Sequence, residues 1–314
     1  MSIDVMVREV GTRDGLQSID HELSTADKIL WCQMEAKTGV PEIEVSSFVS
    51  PRAIPQLADA ADVVGGALQI DGLRVAVLVP NLRGAERAFE IGAHKVNYVL
   101  SVSESHNKRN VNRTVDESFA AFAEIAARRA DLPPERRPIL NGYLSTAFGC
   151  TIEGAVSEDR VVELALRYAE LGVDEIGVAD SVGYANPAAI KRVFRAVGKA
   201  VGDIPLVGHF HDTRGLGLAN VTAALEADVR AFDASLGGFG GCPFAPGATG
   251  NVDMEDLVFM LEAMGLRTGV DIEALLSVRK WLVDSLPDVR FHGAIPVAGL
   301  PKNFSLKREL LANS

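Results

Sequence analysis

The sequence predicts an α/β chain folded as a (β/α)8 TIM barrel with a C-terminal helical extension. Two observations carry this. Eight short β-branched runs alternate with longer amphipathic segments over about 265 residues, the size of a closed barrel. The rival, an open doubly wound sheet, expects a Gly-rich dinucleotide turn after the first strand, where this chain has Gly11-Thr12-Arg13-Asp14-Gly15. The barrel is expected over residues 1–268, with 269–314 forming a helix and tail packed on it as part of the same domain.

The elements follow from hydrophobic period, strands by β-branched runs and helices by a 3.6-residue stripe. Strands are expected at 5–10, 42–46, 73–79, 95–101, 138–144, 175–179, 206–211 and 231–234. Helices are expected near 25–38, 54–69, 82–92, 114–130, 157–171, 187–201, 215–227 and 253–264, with one more near 271–285. Segment 157–171 shows the logic. Ser157 can cap the first turn, Glu158 and Asp159 suit its positive end, and Val161, Leu164, Ala165 and Tyr168 share one face. Gly172 then ends the helix. Residues near 295–304 read as a Pro/Gly-rich tail.

Composition narrows the function class. With 314 residues, 47% hydrophobic and 23% charged, the chain can bury a large core and is not a disordered or disulfide-stapled protein. A net charge of −11 argues against a nucleic-acid partner. No apolar run is long enough for a membrane span, and the first ten residues never run apolar as a secretory signal would. Three scattered cysteines without a CxxC pair fit a reducing, cytoplasmic setting.

In a barrel, chemistry gathers at the C-terminal ends of the strands. Five such ends here carry ionisable groups: Arg13-Asp14 after strand one, Glu44 on strand two, Asp180 on strand six, His209 and His211 on strand seven, and the Cys242 loop after strand eight. Side chains two apart on a strand point the same way, roughly 7 Å apart, so His209 and His211 can reach one ion. The plain alternative is a hydrogen-bonded pair of core histidines. Asp14 and Asn251, also at strand ends, shift the balance. Two imidazoles, a carboxylate and an amide oxygen suit Mg²⁺, Mn²⁺ or another first-row divalent ion with positions left for substrate.

The remaining candidates each carry two readings. Asp180 is either a functional carboxylate or the cap of the turn Ser181-Val182-Gly183-Tyr184. Arg13 is either a fixed donor to an oxyanion or simply the partner of Glu44 or Asp180, and Glu44 either orients a ligand or orients Arg13. Cys242 sits in a loop rich in glycine and proline, an odd place to bury a thiol, whereas Cys32 and Cys150 read as packing residues.

These motifs resemble the hydroxymethylglutaryl-CoA lyase family, metal-dependent barrel lyases related to isopropylmalate synthase. The likeness lies in Val10-Gly11-Thr12-Arg13-Asp14-Gly15-Leu16-Gln17, in Glu42-Ile43-Glu44-Val45-Ser46-Ser47-Phe48-Val49-Ser50-Pro51, in His209-Phe210-His211-Asp212-Thr213 and in the segment from Gly240 to Asn251. It implies a divalent cation held by Asp14, His209, His211 and Asn251, with Arg13 on the thioester carbonyl and Cys242 in proton transfer. It also implies that Glu44 and Asp180 are needed for activity, and that the protein is a homodimer. The implied reaction is cleavage of a 3-hydroxyacyl-CoA to acetyl-CoA and a 3-oxo acid, with Asp180 or His209 as base. Lys108, Arg109 and Asn110, with Arg113, are candidates for the CoA phosphates, and an ordinary solvated loop is the alternative.

The chain departs from the family in places. Thr12 replaces a usual proline, Ser18-Ile19-Asp20 replaces Asn-Glu-Lys, and Gly149-Cys150-Thr151 lacks the usual Pro-Tyr after the cysteine. These border the mouth rather than the metal set, so a different 3-hydroxyacyl thioester stays open. So does a synthase or aldolase of the same barrel group acting on a 2-oxo acid. A metal- and acyl-CoA-binding sensor is a weaker rival, because it would not need Arg13 and Cys242 together.

Overall fold

The computed structural model describes residues 3–241 and 250–304. Eight parallel strands close on themselves in chain order. They are β1 (Met6–Glu9), β2 (Glu42–Ser47), β3 (Arg74–Leu78), β4 (Lys95–Ser101), β5 (Ile139–Ser145), β6 (Glu175–Asp180), β7 (Leu206–Phe210) and β8 (Ala231–Ala234). β8 returns to β1 with Met6 opposite Ala231 and Glu9 opposite Ala234. The expected barrel is present, with strand limits within one or two residues of those read from the sequence.

Helices α1 (Thr25–Thr38), α2 (Ala60–Ala67), α3 (Leu82–Ile91), α4 (Glu104–Val111), α5 (Val115–Ala130), α6 (Glu158–Glu170), α7 (Pro187–Val201), α8 (Gly217–Leu225) and α9 (Met254–Ala263) surround the strands. The α7 limits are those the 3.6-residue stripe marks, because Asn186 caps the first turn, accepting from the N–H groups of Ala188 and Ala189. Three expectations needed correction. The segment 54–69 is split into a 3-10 turn at Pro55–Leu57 and the shorter α2. The stretch after β4 is the helix α4, capped by Ser103, which accepts from the His106 N–H. Its polar sequence has no apolar stripe for periodicity to detect. Ser157 precedes α6 but makes no capping bond with its side chain.

Residues in register on neighbouring strands share a face, and this sorts the barrel into wall and lumen. The floor of the lumen is charged. Arg8 grips Glu175 through two hydrogen bonds of 3.0 and 2.8 Å, and Lys95, fully buried, lies 2.8 Å from Glu42 and 2.6 Å from Glu175. The outer face is apolar, with Phe194 on α7 edge-on to Phe210 of β7. After the barrel, α10 (Ile272–Ser285) buries Leu275, Val278 and Leu282, and a short α11 (Ile295–Ala298) follows. Arg279 of α10 reaches back to Asp253 at 3.1 Å and Glu255 at 2.7 Å, and the His292 N–H donates to Gly237 O at 2.8 Å. The extension therefore braces the turn after β8. Among the described residues, no helix is long and apolar enough to cross a membrane.

Candidate active site

The chain leaves β1 in one tight turn, Gly11–Gly15, with the N–H groups of Arg13 and Asp14 both donating to Val10 O, at 3.1 and 2.6 Å. Gly11 is required there. A Cβ on it would stand 2.6 Å from Ser235 Oγ and 2.7 Å from Glu9 Oε1. The turn delivers Arg13 and Asp14 side by side at the mouth. Arg13, 8% exposed, donates through Nε to Glu44 and pairs with Asp14 at 2.5 Å. Asn97 of β4 donates to the other Glu44 oxygen at 2.8 Å. Glu44 thus holds Arg13 in place, one of the two roles the sequence left open for it.

Across the mouth, β7 presents its imidazoles. His209 and His211 are 8% and 5% exposed, and their Nε2 atoms lie 3.2 Å apart. Asp14, His209 and His211 each offer a ligand atom, and these atoms lie within 4.8 Å of one another. Asn251 donates to Asp14 at 2.8 Å through Nδ2, while its Oδ1 is buried with no partner among the described residues. A buried carbonyl oxygen without a donor costs roughly 1–3 kcal/mol, and a cation beside it would remove that cost. The residues present therefore fit a divalent ion, in hard oxygen and imidazole nitrogen donors.

Electrostatics agrees with this fit. Burial would raise Asp14, but Arg13 and the two imidazoles outweigh it and hold the carboxyl below its usual range. Burial and the neighbouring His209 push His211 down to about 4, so it is the neutral ring a metal requires. Burial would also lower His209, yet the hydrogen bond and charge of Asp233 raise it. Asp233 of β8 accepts from His209 Nδ1 at 3.1 Å and from Tyr143 Oη at 2.6 Å.

Other predicted residues lie elsewhere. Asp180 is in register with Phe210, one position out of phase with His209. Its two oxygens accept from the N–H groups of Tyr184 at 2.8 Å and Ala185 at 3.0 Å, the turn-capping reading. Burial still pushes its pKa up to about 6. Lys108, Arg109 and Asn110 are exposed on α4 rather than in a loop. Cys242 lies outside the described residues. The sequence reading missed Asp233 and Tyr143, although a carboxylate inside the short run Ala231-Phe232-Asp233-Ala234 was a visible signal.

The pattern of the HMGL-like family matches residues 4–282. The chain belongs to that family. This member is 41% identical to the hydroxymethylglutaryl-CoA lyase YngG of Bacillus subtilis over 284 residues, covering 90% of the chain and 93% of the relative. Its identity to the hydroxymethylglutaryl-CoA lyase of Pseudomonas mevalonii is also 41%, over 87% of the chain and 90% of the relative. Among solved structures, an HMG-CoA lyase from Acinetobacter baumannii in complex with coenzyme A and 3-methylmalate superposes with a TM-score of 0.89 at 41% identity, covering 96% of this chain and 97% of that one. The family resemblance carried by the four sequence motifs is thereby borne out.

Proposed function

We propose that this HMGL-like protein is a metal-dependent carbon–carbon lyase that cleaves 3-hydroxy-3-methylglutaryl-CoA to acetyl-CoA and acetoacetate. The observation that carries this reading is the convergence of Asp14, His209 and His211 beside Arg13 at the barrel mouth, in a chain closely similar to enzymes named for that reaction. Asp14, His209, His211 and Asn251 would hold Mg²⁺ or Mn²⁺. When bound, the ion supplies Lewis acidity that lowers the pKa of the substrate hydroxyl.

The residues divide the rest of the work. The 3-hydroxyl loses its proton, the C2–C3 bond breaks, and its electron pair passes into the thioester as an enolate while C3 becomes the ketone of acetoacetate. Arg13, held by Glu44, presents fixed N–H donors to the enolate oxygen. Two residues are candidates for the base. Asp180 has both oxygens engaged by backbone N–H groups, whereas His209 commits only Nδ1 to Asp233, leaving Nε2 for a cation or for the hydroxyl proton. Nε2 carries a single lone pair, so a His209 that holds the cation cannot also take the proton. Cys242 is the proposed acid that protonates C2. Lys108, Arg109 and Asn110 on α4 form the proposed landing site for the CoA phosphates, and a cytoplasmic homodimer is the proposed state of the protein.

A coupled assay of acetyl-CoA release, with Mg²⁺ or Mn²⁺ and with chelator, tests the reading. Metal-dependent turnover above about 1 s⁻¹ is expected, within the usual range of enzymes. Feeble turnover by folded, metal-loaded protein would count against this substrate and direct a screen of other 3-hydroxyacyl-CoA thioesters.

A further inference from the structure

We infer that Asp233, braced by Tyr143, is the positioning residue that aims the His209 imidazole at the cation site. The inference rests on the metal-dependent reading above and adds to it the group that sets ring orientation. Asp233 stands on β8, in register with His209 of β7 and with Arg8 of β1, so all three face the lumen. One of its oxygens, Oδ2, accepts two hydrogen bonds, from Tyr143 Oη at 2.6 Å and from His209 Nδ1 at 3.1 Å. With Nδ1 carrying the proton, the lone pair of His209 is confined to Nε2, the atom that faces His211 at 3.2 Å. A carboxylate behind a ligating histidine fixes the tautomer and raises ligand basicity.

The brace has its own structural requirement. Tyr143 belongs to β5, and its ring leans over β6 to reach β8. Its register partner on β6 is Gly177, where a Cβ would come within 2.1 Å of the tyrosine ring. A side chain on Gly177 would push the ring out of the lumen. The Tyr143 ring also meets His209 edge-on, with centroids 6.2 Å apart at 81°, so it limits the imidazole by contact as well as through Asp233. The arrangement is buried throughout, which leaves the Asp233 oxygen little freedom to exchange partners with water.

Mn²⁺ affinity of the full chain, measured by titration calorimetry or by the electron paramagnetic resonance signal of free Mn²⁺, tests this directly. Removal of such a partner typically weakens metal binding 10–100-fold. Asp233→Ala is expected to fall in that range and Tyr143→Phe to lose several-fold, each with lyase activity recovering as Mn²⁺ is raised. Circular dichroism checks folding. If Asp233→Ala does not fold, Asp233→Asn and Tyr143→Phe decide the matter, both expected to bind Mn²⁺ several-fold more weakly. Folded variants that bind Mn²⁺ as tightly as the unaltered protein would overturn the positioning role and leave the lyase reading standing. An unaltered protein that binds neither Mn²⁺ nor Mg²⁺ would overturn the metal-dependent reading, and this inference with it.

Discussion

Glu9, at the end of β1, and Leu236, just past β8, are joined by a 2.9 Å hydrogen bond from the Leu236 N–H to the Glu9 carboxylate. The other Glu9 oxygen accepts from the Gly11 N–H. One buried side chain therefore ties the turn that carries Arg13 and Asp14 to the turn that opens the loop after β8, at the seam where the barrel closes.

Glu9 should impose a pH dependence on stability. Burial raises its pKa to about 7, and burial together with the Glu9 charge raises Glu35 on α1 behind it. A carboxyl that binds its proton more tightly folded than unfolded favours the native state at low pH, and that advantage is lost as pH rises through the folded pKa. Thermal midpoints are expected to decline between roughly pH 5 and 8 for the unaltered protein and to decline less for Glu9→Gln. Parallel curves for the two would remove Glu9 as the source.

Arg13 and Asp14 should be indispensable to turnover. Loss of one fixed oxyanion donor typically costs on the order of 10²–10³ in rate. Arg13→Gln and Asp14→Ala are each expected to lose at least that much of kcat, with Asp14→Ala also losing Mn²⁺ binding. Retention of more than about a tenth of the original kcat would contradict the assigned roles.

Asp180 is expected to act on its turn rather than as the base. Asparagine can accept only one of the two N–H groups it serves, so Asp180→Asn should cost about 1–3 kcal/mol of stability. A base must be deprotonated, so activity falls below its pKa. The acidic limb of the kcat–pH profile should persist in this variant. Its disappearance would return the role to Asp180.

Lys95 should matter to folding alone. It sits fully buried between Glu42 and Glu175, and Lys95→Met leaves those carboxylates with Arg8 as their shared buried cation. Breaking such a pair costs about 3–5 kcal/mol. Urea unfolding should show a loss near the lower end, because Arg8 remains.

Much of the site was legible because it lies at strand ends. Arg13, Asp14, His209 and His211 follow their strands at spacings that survive any detail of packing, and a two-residue step on β7 keeps both imidazoles on one face. The helix α4 was not legible, since Ser103 caps a segment whose polar residues show no period. Asp180 was ambiguous for a related reason. One residue of phase at the end of β6 decides between lumen and wall, and its register with Phe210 is known only once β6 and β7 are paired.

The order of strands and helices, and the residue types able to hold a cation, are properties of local period and composition, so the chain carries them in plain sight. Which partner each charge takes is different in kind. Asp233 lies 24 residues from His209 and 90 from Tyr143, and Lys95 lies 80 from Glu175. Those distances in the chain vanish only when eight strands close. Closure selects which side chains share the lumen, and in that low-dielectric space each buried polar group must find its partner from whatever the opposite strands present.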